Sequence, residues 1–145
     1  MFQSFDDVSE RQHSAQRVAA LRALMASVKV DGFIIPHSDE FQNEYLPAAR
    51  ERLAWISGFT GSAGTAIVTA ETAVIFVDGR YTLQVQDQID SAVFTPVEWI
   101  KQTPGAWMKD NLKKDMRLGF DPWLHTLAEY RAYQTACEAA GAALV

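Results

Sequence analysis

Hydrophobic positions in the first part of the chain recur at three- and four-residue steps, the spacing of one helix face. The positions are Ala15, Val18, Leu21, Leu24, Met25 and Val28. Ser9 and Gln12 have the spacing of a capping box, so the helix is predicted to begin at Ser9. An Asp-Gly pair then breaks the pattern, and the apolar residues 33–35 predict a short buried strand that ends at Pro36.

The pattern in the middle of the chain changes from helical to strand-like. Residues 37–57 are polar and aromatic, and they predict an irregular segment with short helical turns near 43–46 and 49–54. Residues 65–69 and 73–77 predict two strands, and the short connection between them predicts an antiparallel hairpin. The second run is apolar throughout, which is typical of a central strand buried on both faces.

Helices and strands alternate over the second half of the chain. Predicted helices cover residues 80–89, 103–112 and 126–140, and predicted strands cover 93–97, 118–121 and 142–145. Pro104 at a first helical position and Gly141 after a last one support two of the helices. The order predicts an α/β fold with a mixed sheet flanked by helices on both faces. We expect one domain over residues 1–145.

Composition and charge exclude several classes of protein. Hydrophobic residues make up 48% and charged residues 21% of the chain, an ordinary globular mixture. The net charge of -5 argues against binding to nucleic acid or to an anionic membrane. Cys137 is interpreted as a small core residue, and a chain with one cysteine fits a reducing compartment. The sequence has neither a signal-peptide pattern nor an apolar run near the ~20 residues of a membrane span, so we expect a cytoplasmic protein.

Metal-binding and nucleophile motifs are absent from the sequence. His13, His37 and His125 form no pair four residues apart, and the chain has no second cysteine. The glycines of residues 58–64 are spaced G-x-x-G-x-x-G, precede a strand and lack a following lysine, which argues against a phosphate-binding loop. The serine of this loop is not in a nucleophile elbow. We interpret the loop as a tight backbone passage between packed elements.

A polar cluster, Asp-Gly-Arg-Tyr at residues 78–81, follows the predicted central strand. Ligands of open α/β sheets bind at the carboxyl ends of strands. Asp78 is interpreted as the N-cap of the next helix. Arg80 in a first helical turn gains nothing from the helix dipole, so a contact with a carboxylate or a partner stays open for it. The carboxylate pairs at 6–7 and 39–40 are interpreted as surface groups.

Several segments together resemble one known family. They are FIIP at 33–36 with Asp39, Glu44-Tyr45, Arg52, WISGFTGSAGTA at 55–66, VDGRY at 77–81 with Leu83 and Gln84, and GFDP at 119–122. This combination closely resembles the first domain of cytosolic Xaa-Pro aminopeptidases (aminopeptidases P), which are pita-bread metallopeptidases. The resemblance covers nearly the whole chain from about Gln16 onward.

The resemblance implies a creatinase/prolidase N-terminal fold, a three-layer arrangement like that of ribonuclease H. It also implies a longer parent enzyme that removes the N-terminal residue preceding proline from a peptide. In that family a separate catalytic domain holds two divalent metal ions, usually manganese, whose bridging water attacks the peptide bond. No ligand of that site matches a residue here, so we expect no catalytic residue and no metal ligand in this chain, and no activity from it alone.

The resemblance implies that Arg80 binds substrate, because Arg80 matches the arginine with which the family contacts the bound peptide. Asp78, Tyr81 and Phe59 are expected to line the same site. The expected partners are a peptide with proline at its second position, the catalytic domain of the parent enzyme and a second copy in a homodimer. Two alternatives stay open: a freestanding creatinase-like binding module, and a domain of a prolidase- or creatinase-type relative.

Overall fold

Strands and helices alternate along residues 9–145, the part of the chain that the computed structural model describes. The strands are β1 (Gly32–Pro36), β2 (Gly64–Thr69), β3 (Ala73–Val77), β4 (Thr95–Glu98), β5 (Arg117–Gly119) and β6 (Ala143–Leu144). The helices are α1 (Ser14–Ser27), α2 (Arg52–Ser57), α3 (Gln84–Gln88), α4 (Pro104–Asn111) and α5 (Leu127–Ala139). Single turns of 3-10 helix cover Arg11–His13, Ala48–Arg50 and Pro122–Leu124.

The six strands form one mixed sheet in the order β4-β3-β2-β1-β5-β6. The pairs β1–β2 and β2–β3 are antiparallel, which confirms the predicted hairpin. The pairs β3–β4, β1–β5 and β5–β6 are parallel. Because of these directions, the carboxyl ends of β1, β3 and β4 meet at one edge of the sheet, where Gly64 pairs with Val77 and Val77 with Glu98.

Side chains alternate between two hydrophobic clusters, one on each face of the sheet. In β3, Ala73, Ile75 and Val77 face the cluster that includes buried residues of α1, α2 and α3. Val74 and Phe76 face the opposite cluster, with buried residues of α4 and α5. All five residues of β3 are buried, as the continuous apolar run predicts. The predicted fold class, a mixed sheet with helices on both faces, is confirmed.

The predicted start of the first helix is wrong. α1 begins at Ser14, after a 3-10 turn, and its N-cap residue His13 makes no side-chain cap. The Ser9 hydroxyl instead donates a hydrogen bond to the carbonyl of Gln88 at 2.6 Å and accepts one from the Arg11 amide at 3.3 Å. Ser9 therefore ties the chain to α3, a long-range contact that a local capping pattern does not show.

The segment after β1 also differs from its prediction. Residues 43–46 form no helical turn. The Asp39 carboxylate instead accepts hydrogen bonds from the backbone amides of Phe41 and Asn43 and from Asn43 Nδ2, which fixes a non-helical turn. Asp39 is only 2% exposed, so its interpretation as a surface group is wrong. These hydrogen bonds lower the pKa of Asp39, those from Asn43 most. The carboxylates at 6–7 lie outside the described residues.

The predicted positions of Pro104 at the start of α4 and of Gly141 after α5 are confirmed. The Thr103 hydroxyl accepts from the Ala106 amide at the start of α4, with proline at the first position. Thr126 and Glu129 form a complete capping box at the start of α5. Gly141 has a φ of 72° just after that helix. β4 starts later than predicted because the amides of Val93 and Phe94 close a turn on the Asp90 carbonyl.

Candidate functional site

A cavity of about 340 Å³ opens at the edge where the carboxyl ends of β1, β3 and β4 meet. Its wall includes Arg80 after β3, Trp99 after β4, and Glu44 and Ser62 from the connection between β1 and β2. The site therefore lies where the position of residues 78–81 in the sequence predicts it, at the carboxyl end of a buried strand.

Asp78 and Arg80 form a closed turn directly after β3. The Asp78 carboxylate accepts the backbone amide of Arg80 at 2.9 Å. The guanidinium folds back onto the same carboxylate, with Nη2 at 2.7 Å from Oδ2 and Nε at 3.2 and 3.1 Å from Oδ1 and Oδ2. α3 begins only at Gln84, so the interpretation of Asp78 as a helix N-cap is wrong and Arg80 precedes the helix. The Asp78 carboxylate instead accepts hydrogen bonds from the backbone amide and the guanidinium of Arg80.

The ion pair sets the electrostatics of this turn. The hydrogen bond and charge of Arg80 hold the pKa of Asp78 below its usual range, and the carboxylate raises the pKa of Arg80 in turn. The Arg80 side chain is 62% exposed and its Cζ lies 5.1 Å from the centre of the Tyr81 ring. Among residues 9–145, Arg80 donates its side-chain hydrogen bonds through Nε and Nη2, and Nη1 donates none. A pre-positioned pair of N–H donors therefore remains for an external acceptor.

Tyr81 is fixed from both ends. Its ring contacts Phe59 edge-to-face, with 5.4 Å between ring centres, and its hydroxyl lies 2.7 Å from Ser62 Oγ. The Ser62 amide donates to the same hydroxyl, and Ser62 Oγ donates to Glu44 at 3.3 Å. Phe59 is 1% exposed and belongs to the core, so it supports Tyr81 from below and contributes nothing to the wall of the cavity. Tyr81, which contacts Arg80, is thus held by the core on one side and by Ser62 on the other.

The glycine-rich loop is a tight backbone passage, as predicted. Gly58 has a φ of 86°, and a Cβ there would lie 2.6 Å from the Gln88 carbonyl oxygen. A Cβ at Gly61 would overlap the Phe59 ring, and one at Gly64 would lie 3.1 Å from the Phe76 carbonyl oxygen. Close approach to neighbouring backbone and rings explains the spacing of these glycines.

Other polar groups in the wall have structural partners. His37 Nε2 lies 2.9 Å from the Glu44 carbonyl oxygen, and Nδ1 lies 3.6 Å from a Glu51 carboxylate oxygen. Glu129 Oε2 accepts from both the amide and the hydroxyl of Thr126. Within the described residues, no group of three or more histidine, cysteine or carboxylate side chains is arranged to hold a metal ion.

Of the residues singled out from the sequence, Arg80 lies in the cavity wall, whereas Asp78 and Tyr81 contact Arg80 and are not part of the wall. Arg80, Asp78 and Tyr81 were identified and lie together. Glu44 and Ser62 belong to the quoted segments, but nothing in their pattern predicts that they meet through Tyr81. Trp99, 38% exposed, carries no motif, and only its place directly after a strand could have indicated it.

Residues 17–145 match the family model of the creatinase/prolidase N-terminal domain. The chain belongs to this family. Its resemblance to the first domain of Xaa-Pro aminopeptidases is thereby confirmed, since curated relatives across most of the chain carry that name.

Two of these relatives show the extent of the match. The Xaa-Pro aminopeptidase of Drosophila melanogaster is 36% identical over 143 residues, which are 93% of this chain and 23% of that protein. Human Xaa-Pro aminopeptidase 2 is 36% identical over 134 residues, 92% of this chain and 20% of that protein. The creatinase/prolidase N-terminal domain thus spans about a fifth to a quarter of the length of these relatives.

Solved structures agree with this placement. The X-prolyl aminopeptidase of Caenorhabditis elegans, described as a cytosolic enzyme with a di-nuclear active site, superposes with a TM-score of 0.85 at 28% identity, covering 91% of this chain and 23% of that one. An isolated creatinase/prolidase-like domain from Corynebacterium diphtheriae has the same fold, with a TM-score of 0.68 at 21% identity and coverage of 90% and 92%. None of the helices in residues 9–145 combines the length and the apolar character that crossing a membrane requires.

Proposed function

We propose that this chain is the N-terminal, substrate-positioning domain of a cytoplasmic Xaa-Pro aminopeptidase. The domain would comprise residues 1–145, and the parent enzyme would remove the residue that precedes proline at the start of a peptide. Relatives of that name match over nine-tenths of this chain, which supports the proposal. The described residues hold no cluster for a metal ion, so in this proposal the chemistry belongs to another part of the parent protein.

The observation that carries the proposed role is the geometry of Arg80. Its guanidinium lies at the wall of the cavity with Nη1 free of partners among the described residues, while Asp78 and Tyr81 hold its other edge. A guanidinium N–H directed at an open cavity suits a carbonyl or carboxylate oxygen of a bound peptide. Arg80 would orient the peptide, and orientation lowers the barrier of a reaction that occurs elsewhere.

The remaining parts of the proposal concern the parent enzyme. Two divalent metal ions, manganese in our proposal, would bind in its catalytic domain, and the C. elegans relative is described as having a di-nuclear active site. The same relative is described as cytosolic, which supports a cytoplasmic location. The partners would be a peptide with proline at its second position, the catalytic domain and a second subunit. The isolated chain would be inactive.

The test is hydrolysis of Xaa-Pro peptides by the parent protein with Mn²⁺. Arg80→Ala is expected to lower kcat/KM by at least about tenfold, since a hydrogen bond from a charged donor is worth ~1.5–3 kcal/mol. Arg80→Lys should recover part of the loss. The matched control is Arg131→Ala, because Arg131 is an exposed arginine of α5 outside the cavity wall.

Two results would contradict the proposal. A parent protein that leaves Xaa-Pro bonds intact would refute the activity, and equal kinetics for wild type and Arg80→Ala would refute the positioning role. The isolated chain is assayed in parallel, and hydrolysis by it would contradict the assignment of the chemistry to another domain.

A further inference from the structure

Within residues 9–145, Trp99 is the only phenylalanine, tyrosine or tryptophan that lines the cavity of the candidate site. Its amide donates to the Val77 carbonyl at 2.8 Å, which extends the pairing of β3 and β4 by one residue. The Gln102 amide then closes a turn on the Glu98 carbonyl, so the backbone on both sides of Trp99 is fixed. The indole is 38% exposed and makes no ring contact or hydrogen bond with the described residues, so its face is available to a ligand.

Glu129 brings a carboxylate to the same side of the cavity. It lies one helical turn before Tyr133 in α5, and Tyr133 packs in the same hydrophobic cluster as Val97 of β4. Because Trp99 lies two residues after Val97, the side chains of Trp99 and Glu129 both extend beyond the end of that cluster. Glu129 Oε2 accepts two hydrogen bonds from Thr126, which fix the carboxylate, and Oε1 has no hydrogen bond within the described residues.

The cavity wall carries an excess of negative charge. Its carboxylates are Glu44 and Glu129, and neither forms an ion pair with a lysine or arginine of residues 9–145. In the same part of the chain, Arg80 is the one lysine or arginine of the wall, and Asp78 offsets its charge at 2.7 Å. A cation in the cavity would therefore be attracted by the carboxylates and by the face of the indole ring.

We propose that Trp99 and Glu129 form a specificity-determining subsite for a basic side chain, lysine or arginine, of the bound peptide. This inference rests on the proposed function and names the substrate class of that site. In the proposed function the bond before proline is cleaved in another part of the parent protein, so this domain contacts residues that follow the proline. The cation would lie over the indole and donate to Glu129 Oε1, while Arg80 Nη1 donates to a backbone carbonyl of the same peptide.

Other side chains would gain less at this subsite. An apolar side chain would contact the indole and gain nothing from the carboxylates, and an acidic side chain would be repelled by Glu44 and Glu129. A lysine or arginine gains from both parts, because an aromatic face and a carboxylate each stabilise a cation. The expected order of preference is basic, then apolar, then acidic.

The experiment compares peptides of equal length with the parent protein and Mn²⁺: Ala-Pro-Lys-Ala amide and the same peptide with norleucine, which has lysine's carbon chain without the ammonium. A second pair has lysine or norleucine at the fourth position. The measured quantity is the ratio of kcat/KM for the lysine peptide to kcat/KM for the norleucine peptide. We expect a ratio of about three to ten in at least one pair, the range for a cation at a partly exposed aromatic and charged site.

Two variants should lower this ratio toward one. Glu129→Gln removes the charge, and glutamine can keep the capping box at the start of α5. Trp99→Leu keeps an apolar side chain and removes the aromatic face that attracts a cation. If Glu129→Gln folds poorly, Glu44→Gln serves in its place, because it removes the second wall carboxylate and keeps an oxygen for the Ser62 hydroxyl.

Matched controls lie outside the cavity wall. Glu138→Gln removes an exposed carboxylate from the same helix, and Trp123→Leu replaces a tryptophan that is 74% exposed. Both should leave the ratio unchanged. Added salt should lower the ratio of the wild-type protein, because salt screens the attraction between partly exposed charges.

The outcomes separate this inference from the proposed function. A wild-type ratio near one in both pairs, with Arg80→Ala still impairing hydrolysis, would overturn the basic subsite and leave the proposed function intact. A ratio that falls in Trp99→Leu and stays unchanged in both Glu129→Gln and Glu44→Gln would indicate an apolar subsite and would also overturn the inference. If the parent protein leaves all four peptides intact, the proposed activity fails, and the inference that depends on it fails too.

Discussion

At the scale of single residues, Gly58 has an unusually constrained position. It ends α2 with a φ of 86°, and the space for its Cβ is occupied by two backbone atoms, Gln88 O at 2.6 Å and Arg11 N at 2.8 Å. Neither atom can move without shifting a helix or the N-terminal turn. One glycine thus lets α2, the end of α3 and the N-terminal turn approach one another closely.

Gly58→Ala is expected to lower the free energy of unfolding by about 2 kcal/mol or more, because it combines positive-φ strain with backbone overlap. Chemical denaturation of the chain measures this. The control is Gly105→Ala, where the nearest atom to the new Cβ is 3.8 Å away, and this change inside a helix should be neutral or stabilising. Equal stability of the two variants would show that the backbone at Gly58 can relax.

At the scale of elements, α5 illustrates which signals a sequence carries well. Its start is encoded within four residues, since Thr126 accepts the Glu129 amide and Glu129 accepts the Thr126 amide. Its end is marked by Gly141. The helix then packs Tyr133 and Cys137 into the core on one face of the sheet.

Thr126→Ala should cost about 1 kcal/mol of stability, because it removes the hydroxyl that accepts the Glu129 amide and donates to the Glu129 carboxylate. A matched threonine lies at position 135 on the same helix, where its hydroxyl returns to the Arg131 carbonyl and caps nothing. Thr135→Ala should change the midpoint of urea denaturation little. A loss in Thr135→Ala as large as that in Thr126→Ala would argue against the capping explanation.

Element prediction succeeded where the information is local and failed where it is not. The strands, the hairpin, the start of α4 at Pro104 and the end of α5 before Gly141 follow from periodicity and short spacings. The start of α1 was missed because Ser9 bonds to Gln88, 79 residues away. The turn at Asp39 and the shortened α3 were missed because an aspartate carboxylate, Asp39 or Asp78, competes with helix formation by accepting nearby backbone amides.

The same difference between local and long-range information explains which residues of the candidate site could be predicted from the sequence. Arg80 and Asp78 are neighbours in the sequence and were recognised together. Glu44 and Trp99 reach the cavity only because three strands end at one edge of the sheet, and this depends on strand order. Strand order follows from long-range pairing, which a single sequence does not display.

At the scale of the whole molecule, the two hydrophobic clusters differ in the ionisable side chains among their buried residues. The cluster with α4 and α5 contains the ionisable side chains of Tyr133 and Cys137. Burial raises the pKa of Cys137 from 9.0 to about 11 and that of Tyr133 from 10.0 to about 12. Both groups are therefore neutral in the folded protein well above the pH at which they ionise in an unfolded chain.

Stability should consequently fall in alkali. A raised folded pKa contributes stability that is complete below the unfolded pKa, so the contribution of Cys137 is full below about pH 9 and is lost as pH rises to about 11. Tyr133 adds a loss between about pH 10 and 12. Denaturation curves at pH 8 to 11 should show the decline, and Cys137→Ala should reduce it by on the order of 2 kcal/mol. An identical decline in Cys137→Ala would exclude the thiol as a cause.

The strand order also has a consequence for the path of folding. β1, β2 and β3 are consecutive in the chain and adjacent in the sheet, so their pairing closes only the connections 37–63 and 70–72. β5 joins β1 across some 85 residues, with Gly32 beside Leu118. Closing a long loop costs more chain entropy and makes parallel pairing slow. The three-stranded meander would therefore be the nucleus, and the strands on its flanks would assemble on it afterwards.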